Sequence, residues 1–312
     1  MSLPAGIGAG RWELLRALGA FSVAAPPADG SLADAVGLPP WSPVEHTRVF
    51  FLDLPPYASI HLGAEGKLGG DGADRVAGVW RALGLDPPAG ADHLAFLLAL
   101  YAHVGQAADG CATERARRRM HHVRAVLLWE HLWSWLPGYL AAVAGQTGTA
   151  ARGSGAPAAA WAALTMAVLR READVTAPPA ALPSALRHAP PAVHAGVSID
   201  ALIDALTAPL QVGFILTHSD IGRAGHDIRA GVRRGERRFA LQAMLEQDPH
   251  ATLAWLACHA RRWAAVHRRQ PQFGVSAGRW WSARADATAR TLDMLVSRGW
   301  AQRRAAVRVP GG

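Results

Sequence analysis

The residues best suited to chemistry in this chain are an Asp92-His93 pair, a Glu130-His131 pair and a scatter of other histidines, 14 in all among 312 residues. Asp92-His93 closes the run Pro87-Pro88-Ala89-Gly90-Ala91 and precedes an apolar stretch that begins at Leu94. A carboxylate at such a junction satisfies the free backbone N–H groups of a helix start, so Asp92 is expected to cap the helix that follows. His93 is expected at the loop–helix junction, placed to exchange a hydrogen bond with an incoming peptide. Glu130 and His131 lie within Trp129-Glu130-His131-Leu132-Trp133-Ser134-Trp135. Trp129 and Trp133 are four apart and share a helix face, with Glu130 and His131 beside that stripe. A third stretch, Tyr57-Ala58-Ser59-Ile60-His61-Leu62, offers an aromatic and aliphatic helix face.

Catalytic and metal chemistry find little support in these spacings. His121, His122, Glu130 and His131 fall on one helical pattern. Positions nine or ten apart on a helix are roughly 14 Å apart along its axis, too far for one ion. A His-Glu-x-x-His element is absent, as is a Gly-rich phosphate loop ending in Lys; Lys67 is the only lysine. Cys111 and Cys258 are the only cysteines, too few for a disulfide framework or a Cys-based zinc site. The expectation is a binding protein that is not an enzyme, with no catalytic residues, no metal and no cofactor.

The elements that must position these residues read as helices throughout. Arg11–Phe21 is a short helix, and Ala24–Val44, rich in Pro, Gly and Ala, reads as a loop. Asp71–Leu83 starts with an acidic turn, puts Val76, Val79, Trp80 and Leu83 on one face and stops at Gly84. The next helix presents Leu94, Leu97, Leu98 and Tyr101 on one face. Thr113–Val143 is a long helical pattern, bent or broken at Pro137-Gly138. Ala144–Pro157 reads as a flexible connection, Ala158–Arg171 as a helix and Ala177–Pro191 as a proline-rich linker. Further helices are expected at Ile199–Leu206, Ser219–Val232, Arg237–Leu245, Ala251–Arg268 and Trp280–Trp300. No run alternates as a strand would, so the fold class is all-α.

Half of the residues are hydrophobic and 18% are charged, enough apolar material for a sizeable core. The formal net charge of +8 is uneven. Residues 1–110 hold 6 basic and 11 acidic groups, a balance of −5, and the rest a balance of +13. The acidic first third suits a basic peptide, and the basic remainder an acidic surface or nucleic acid. The first ten residues lack a signal peptide's basic start and apolar run. No apolar stretch reaches spanning length, so membrane insertion is not expected and the location is expected to be cytoplasmic.

Taken in order, Tyr57–Leu62, Asp92-His93-Leu94 and His131-Leu132-Trp133-Ser134-Trp135 resemble the TorD/DmsD/NarJ family of molybdoenzyme maturation chaperones. Gly90 and Ala91 stand where that family usually has an acidic or amide residue and a proline, with Pro88 displaced upstream. The resemblance spans roughly Val44–Arg171. It implies a TorD-like helical bundle, here residues 1–176; the composition beyond it reads as a Pro-rich linker over 177–197 and an additional Arg-rich helical extension over 198–312. It also implies a cytoplasmic chaperone whose partner is the apo-form of a molybdopterin-dependent oxidoreductase catalytic subunit, held by its N-terminal twin-arginine leader or an equivalent segment. The implied client-peptide site comprises Tyr57, Leu62, Trp80, Pro88, Asp92, His93, Glu130, His131 and Trp133. A homodimer is compatible with these features. An acidic first third suits paired arginines, which carboxylates bind in bidentate fashion.

One competing reading comes from Leu216–Arg238. A short helix, a Gly-containing turn at Gly222 and a stretch with Arg229, Arg233, Arg234, Arg237 and Arg238 fit a helix-turn-helix DNA-binding regulator using residues 216–238. The irregular apolar spacing, and Gly231 and Gly235 in the would-be recognition helix, favour a basic helical hairpin without specific nucleic-acid binding.

Overall fold

Apolar residues recurring at helical spacing must face one another, and the chain folds accordingly. The computed structural model describes residues 10–24, 31–146, 156–232 and 235–297. Among them every regular element is helical, and the one β feature is an isolated bridge between Tyr57 and His93. The fold is all-α. No helix among the described residues is long and apolar enough to cross a membrane.

Two compact units divide the chain. The first is drawn from Met1–Ser59, Leu68–Ala185 and Phe273–Val275, the second from Ile60–Lys67, Leu186–Gln272 and Ser276–Gly312. In chain order the helices up to the middle of the sequence are α1 (Gly10–Ala20), α2 (Ser31–Ala35), α3 (Pro43–Thr47), α4 (Ala58–Leu62), α5 (Gly70–Ala82), α6 (Leu94–Asp109), α7 (Glu114–Val126), α8 (Leu136–Ala144), α9 (Ala156–Asp174) and α10 (Ser184–Arg187). Two π-helical turns, Arg48–Asp53 and Leu127–Leu132, join them.

In the first unit α6 is central. Leu94, Leu97, Leu98 and Tyr101, the face expected from periodicity, are all fully buried. Each such aliphatic side chain contributes about 1.5–3 kcal/mol. Trp12, Leu15 and Leu18 of α1 pack on it, and α8 pairs with α9. Buried polar groups are matched across helices. The Trp12 indole donates to Asp109 at 2.8 Å, and the Tyr101 hydroxyl donates to the Glu172 carboxylate at 2.8 Å.

Two expectations are corrected here. Ala24–Val44 is not simply a loop, because it contains α2 and the start of α3. The signal overlooked was Ser42-Pro43-Val44-Glu45. Ser42 accepts the Glu45 amide proton at 3.0 Å, with proline in the first turn. This start carries Trp41, stacked 5.4 Å from Phe50, and Phe50 meets Trp161 at 5.1 Å. Likewise the Thr113–Val143 pattern is three elements. Thr113 caps α7, a π turn follows, and the chain breaks over residues 133–135, before Pro137, which then sits in the first turn of α8.

The second unit holds α11 (Ile199–Leu206), α12 (Pro209–Val212), α13 (His218–Ile228), α14 (Arg237–Gln247), α15 (Pro249–Arg269) and α16 (Ala277–Ser297). The last two form its main hairpin, burying Leu253, Leu256, Ala260, Ala264, Ala285, Ala289 and Leu292. Ser198, Thr217 and Asp248 cap α11, α13 and α15; Thr217 and Asp220 complete a reciprocal capping box. The stretch proposed as a DNA-recognition helix is not one. Gly222 lies inside α13, which stops at Ile228, and Arg229 takes a left-handed conformation with φ +57°. Residues 229–232, 235 and 236 are non-helical, while Arg233 and Arg234 lie outside the described residues, as does Trp300.

Candidate functional site

The Asp92-His93 element is built on the bridge between Tyr57 and His93. Gly90, at φ +70°, turns the proline loop, and a Cβ there would lie 3.3 Å from the Tyr57 ring; glycine answers both constraints. The turn closes through the His93 amide, which donates to the Gly90 carbonyl at 2.8 Å. Residues 56–59 then run beside residues 92–94. The Ala58 amide donates to the Asp92 carbonyl at 3.0 Å, and the Leu94 amide to the Pro56 carbonyl at 2.8 Å.

This pairing redirects Asp92. Its carboxylate accepts the Ser59 amide proton at 2.9 Å and so serves the first turn of α4, not of α6 as expected. The cap of α6 is His93, whose Nδ1 accepts from the Ala95 amide at 3.1 Å. The bridge leaves Asp92 facing the α4 start, where two amides would otherwise go unmatched in a buried site. An accepting Nδ1 puts the ring proton of the neutral form on Nε2. Burial lowers the His93 pKa to about 4, with the Asp92 charge pulling the other way, so the cap is neutral at pH 7. Asp92 is 2% exposed and His93 7%, so neither is the open peptide contact the sequence suggested. The Tyr57 ring stands edge-on to His93 at 4.7 Å and is itself half-buried, as are Pro88 and Trp80. The buried Trp80 Nε1 has no hydrogen-bond acceptor among the described residues.

The second cluster sits on the π turn Leu127–Leu132. Beyond it, two side chains satisfy carbonyls released by the break: Ser134 donates to the Glu130 carbonyl and the Trp135 indole to the His131 carbonyl, each at 2.8 Å. Trp129 and Trp133 meet at 5.8 Å, edge to face, both buried. The Trp129 indole donates to the Ala177 carbonyl at 2.8 Å. The Glu130 carboxylate accepts the Ser184 amide proton at 2.6 Å, at the start of α10. His131 is half-buried, and burial together with the Arg75 charge lowers its pKa to about 4.

The structure therefore brings Tyr57, Asp92 and His93 into one cluster and Trp129, Glu130 and Trp133 into another. Leu62 is buried and belongs to the second unit. Sequence reasoning missed Phe273, whose ring lies 5.1 Å from Trp133, and the exposed apolar residues Val44, Phe51 and Leu52. An aromatic isolated between Pro271 and Gly274 was the available sign of the first; the capping pattern at Ser42 was the sign of the second. A depression of about 770 Å³ in the second unit is lined by Gly222, Gly225, His226, Asp227, Arg229, Ala230 and Val232, and none of the expected site residues borders it. No group of three His, Cys, Asp or Glu able to hold a metal occurs among the described residues.

Comparison with known proteins gives a family match. No curated protein and no solved structure matches the chain. Residues 42–141 match the family described as nitrate reductase delta subunit, a segment that runs from the Ser42 cap through both clusters. That family is one of molybdoenzyme assembly chaperones, of the NarJ/TorD type, and over residues 42–141 this chain carries its pattern.

Proposed function

We propose that this protein is a cytoplasmic, non-enzymatic chaperone that binds the apo-form of a molybdopterin-dependent oxidoreductase catalytic subunit, through a leader or N-terminal segment, during cofactor insertion. The observation that carries the reading is the coincidence of the matched segment, residues 42–141, with both side-chain clusters. Tyr57, Trp80, Pro88, Glu130 and His131 are the expected site residues of this segment that keep partial exposure, and they are the ones offered to a peptide. Asp92 and His93 hold together the segments that carry Tyr57 and Pro88. A basic leader is drawn by exposed carboxylates in the same unit, such as Asp71, Asp74 and Asp86. Trp133 supplies an aromatic wall to the peptide. The Arg-rich residues 198–312 contact the folded body of the client.

The test is co-purification from the native host at physiological salt. The expected catch is a molybdenum-enzyme catalytic subunit lacking its cofactor. Titration calorimetry with that subunit's N-terminal peptide should then show binding that Tyr57→Ala or Trp80→Ala weakens about tenfold. Recovery of no molybdoenzyme subunit from a host expressing one would overturn the reading.

A further inference from the structure

The tryptophan pair of the second cluster is already occupied. Phe273 places its ring 5.6 Å from Trp129 and 5.1 Å from Trp133, the latter contact almost perpendicular at 88°. Such tilted and edge-to-face contacts are the favoured geometries of aromatic pairs. The residues after it lie along Pro178-Pro179. The Val275 amide donates to the Pro179 carbonyl at 3.4 Å. Gly274 has φ +53°, and a Cβ there would sit 2.7 Å from the Pro179 carbonyl oxygen, so this position admits glycine alone. The floor is fixed by the Trp129 indole bond to the Ala177 carbonyl. Trp129, Trp133 and residues 177–179 thus form a slot. It takes one aromatic side chain, then a residue without Cβ, and offers a carbonyl to the next amide.

Three observations distinguish the occupant from ordinary core. Phe273–Val275 are the only residues of their stretch in the first unit; Gln272 before them and Ser276 after them belong to the second. Phe273 keeps intermediate exposure, while Gly274 and Val275 are exposed. The stretch between α15 and α16 has no helix of its own, and among the described residues one long backbone hydrogen bond and the Phe273 ring hold it in the slot. Such an attachment is weak enough to exchange.

We propose that the Trp129–Trp133 slot is an anchor site for an extended client segment with an aromatic residue followed by glycine, and that Phe273 fills it as an intramolecular surrogate in the client-free protein. This rests on the chaperone reading above and names what its aromatic cluster recognises. The tether makes the surrogate a competitor at an effective concentration on the order of millimolar. The fraction of molecules with an open slot then scales the apparent affinity for client.

The experiment uses the full chain and a synthetic peptide copying residues 268–278. Full-length F273A, its own occupant removed, should bind that peptide at least tenfold more tightly than wild type. A peptide with its Phe changed to Ala should not bind, and the W133A/F273A double variant should bind neither. F273A should also capture more client than wild type. If F273A loses helical circular dichroism, F273L keeps the apolar volume without the ring and takes its place. Peptide binding that is equal in wild type and F273A, or that survives loss of Trp133, overturns the slot. Failure of the peptide to bind F273A while client still co-purifies overturns the slot and leaves the chaperone reading intact. Loss of client capture with peptide binding preserved overturns the chaperone reading instead.

Discussion

Asp92 accepts the backbone proton of Ser59 at 2.9 Å and thereby ties the start of α4 to the loop before α6. With the Ala58 amide bound to the Asp92 carbonyl, one residue serves two amides of another helix's first turn. His93 is left to cap α6. The pair is therefore a clasp between chain segments before it is anything else.

Substitution of Asp92 should expose that clasp. Asp92→Ala leaves the Ser59 amide buried and unmatched and should cost about 1–3 kcal/mol. Asp92→Asn keeps an acceptor oxygen and should recover most of the loss. Urea denaturation followed by circular dichroism measures both, and equal midpoints for the two variants would contradict the clasp.

Gly90 is under a double constraint, a φ of +70° and a Tyr57 ring 3.3 Å from any added Cβ. Gly90→Ala should destabilise by about 1–2 kcal/mol through the left-handed backbone alone, with the ring contact adding to it. Tyr57→Ala should remove the added part. A double-mutant cycle reads the coupling, and strict additivity would show that the ring plays no part.

Acid should weaken the fold through its buried histidines. Burial is the largest cause lowering His93, His131 and His267 to about 4 and His61 to about 3. In the unfolded chain they titrate near 6.5. Between about pH 6.5 and 4 the unfolded state therefore binds more protons, so stability present above pH 6.5 falls as the pH drops through that window. The urea midpoint should decrease from pH 7 to pH 5, most of it recovered on return to pH 7. A midpoint unchanged across that interval would show these imidazoles to be hydrated.

Nucleic acid should bind this protein only weakly. The charge balance of +13 beyond residue 110 attracts phosphates, but residues 229–232, 235 and 236, in the expected recognition helix, are non-helical. Gel shifts should show sequence-blind binding that disappears between about 50 and 200 mM salt. Enrichment of one duplex sequence in a binding selection would restore the regulator reading.

Much of this protein was legible in local pattern. The α6 face Leu94, Leu97, Leu98 and Tyr101 and the bounds Ile199–Leu206 of α11 follow from helical spacing and caps, because those depend on residues three or four apart. The all-α class and the motifs that tie residues 42–141 to a chaperone family are local in the same sense. Tertiary structure decided where the polar groups went. A carboxylate at a loop–helix junction can serve any unmatched amide within reach. Only the bridge between Tyr57 and His93 brought Ser59 closer to Asp92 than the helix next in sequence. The partner of Trp129 and Trp133 was equally hidden, since an aromatic ring binds by shape and burial without regard to distance along the chain, and Leu186–Gln272 of the second unit separate Phe273 from the first unit's helices in sequence.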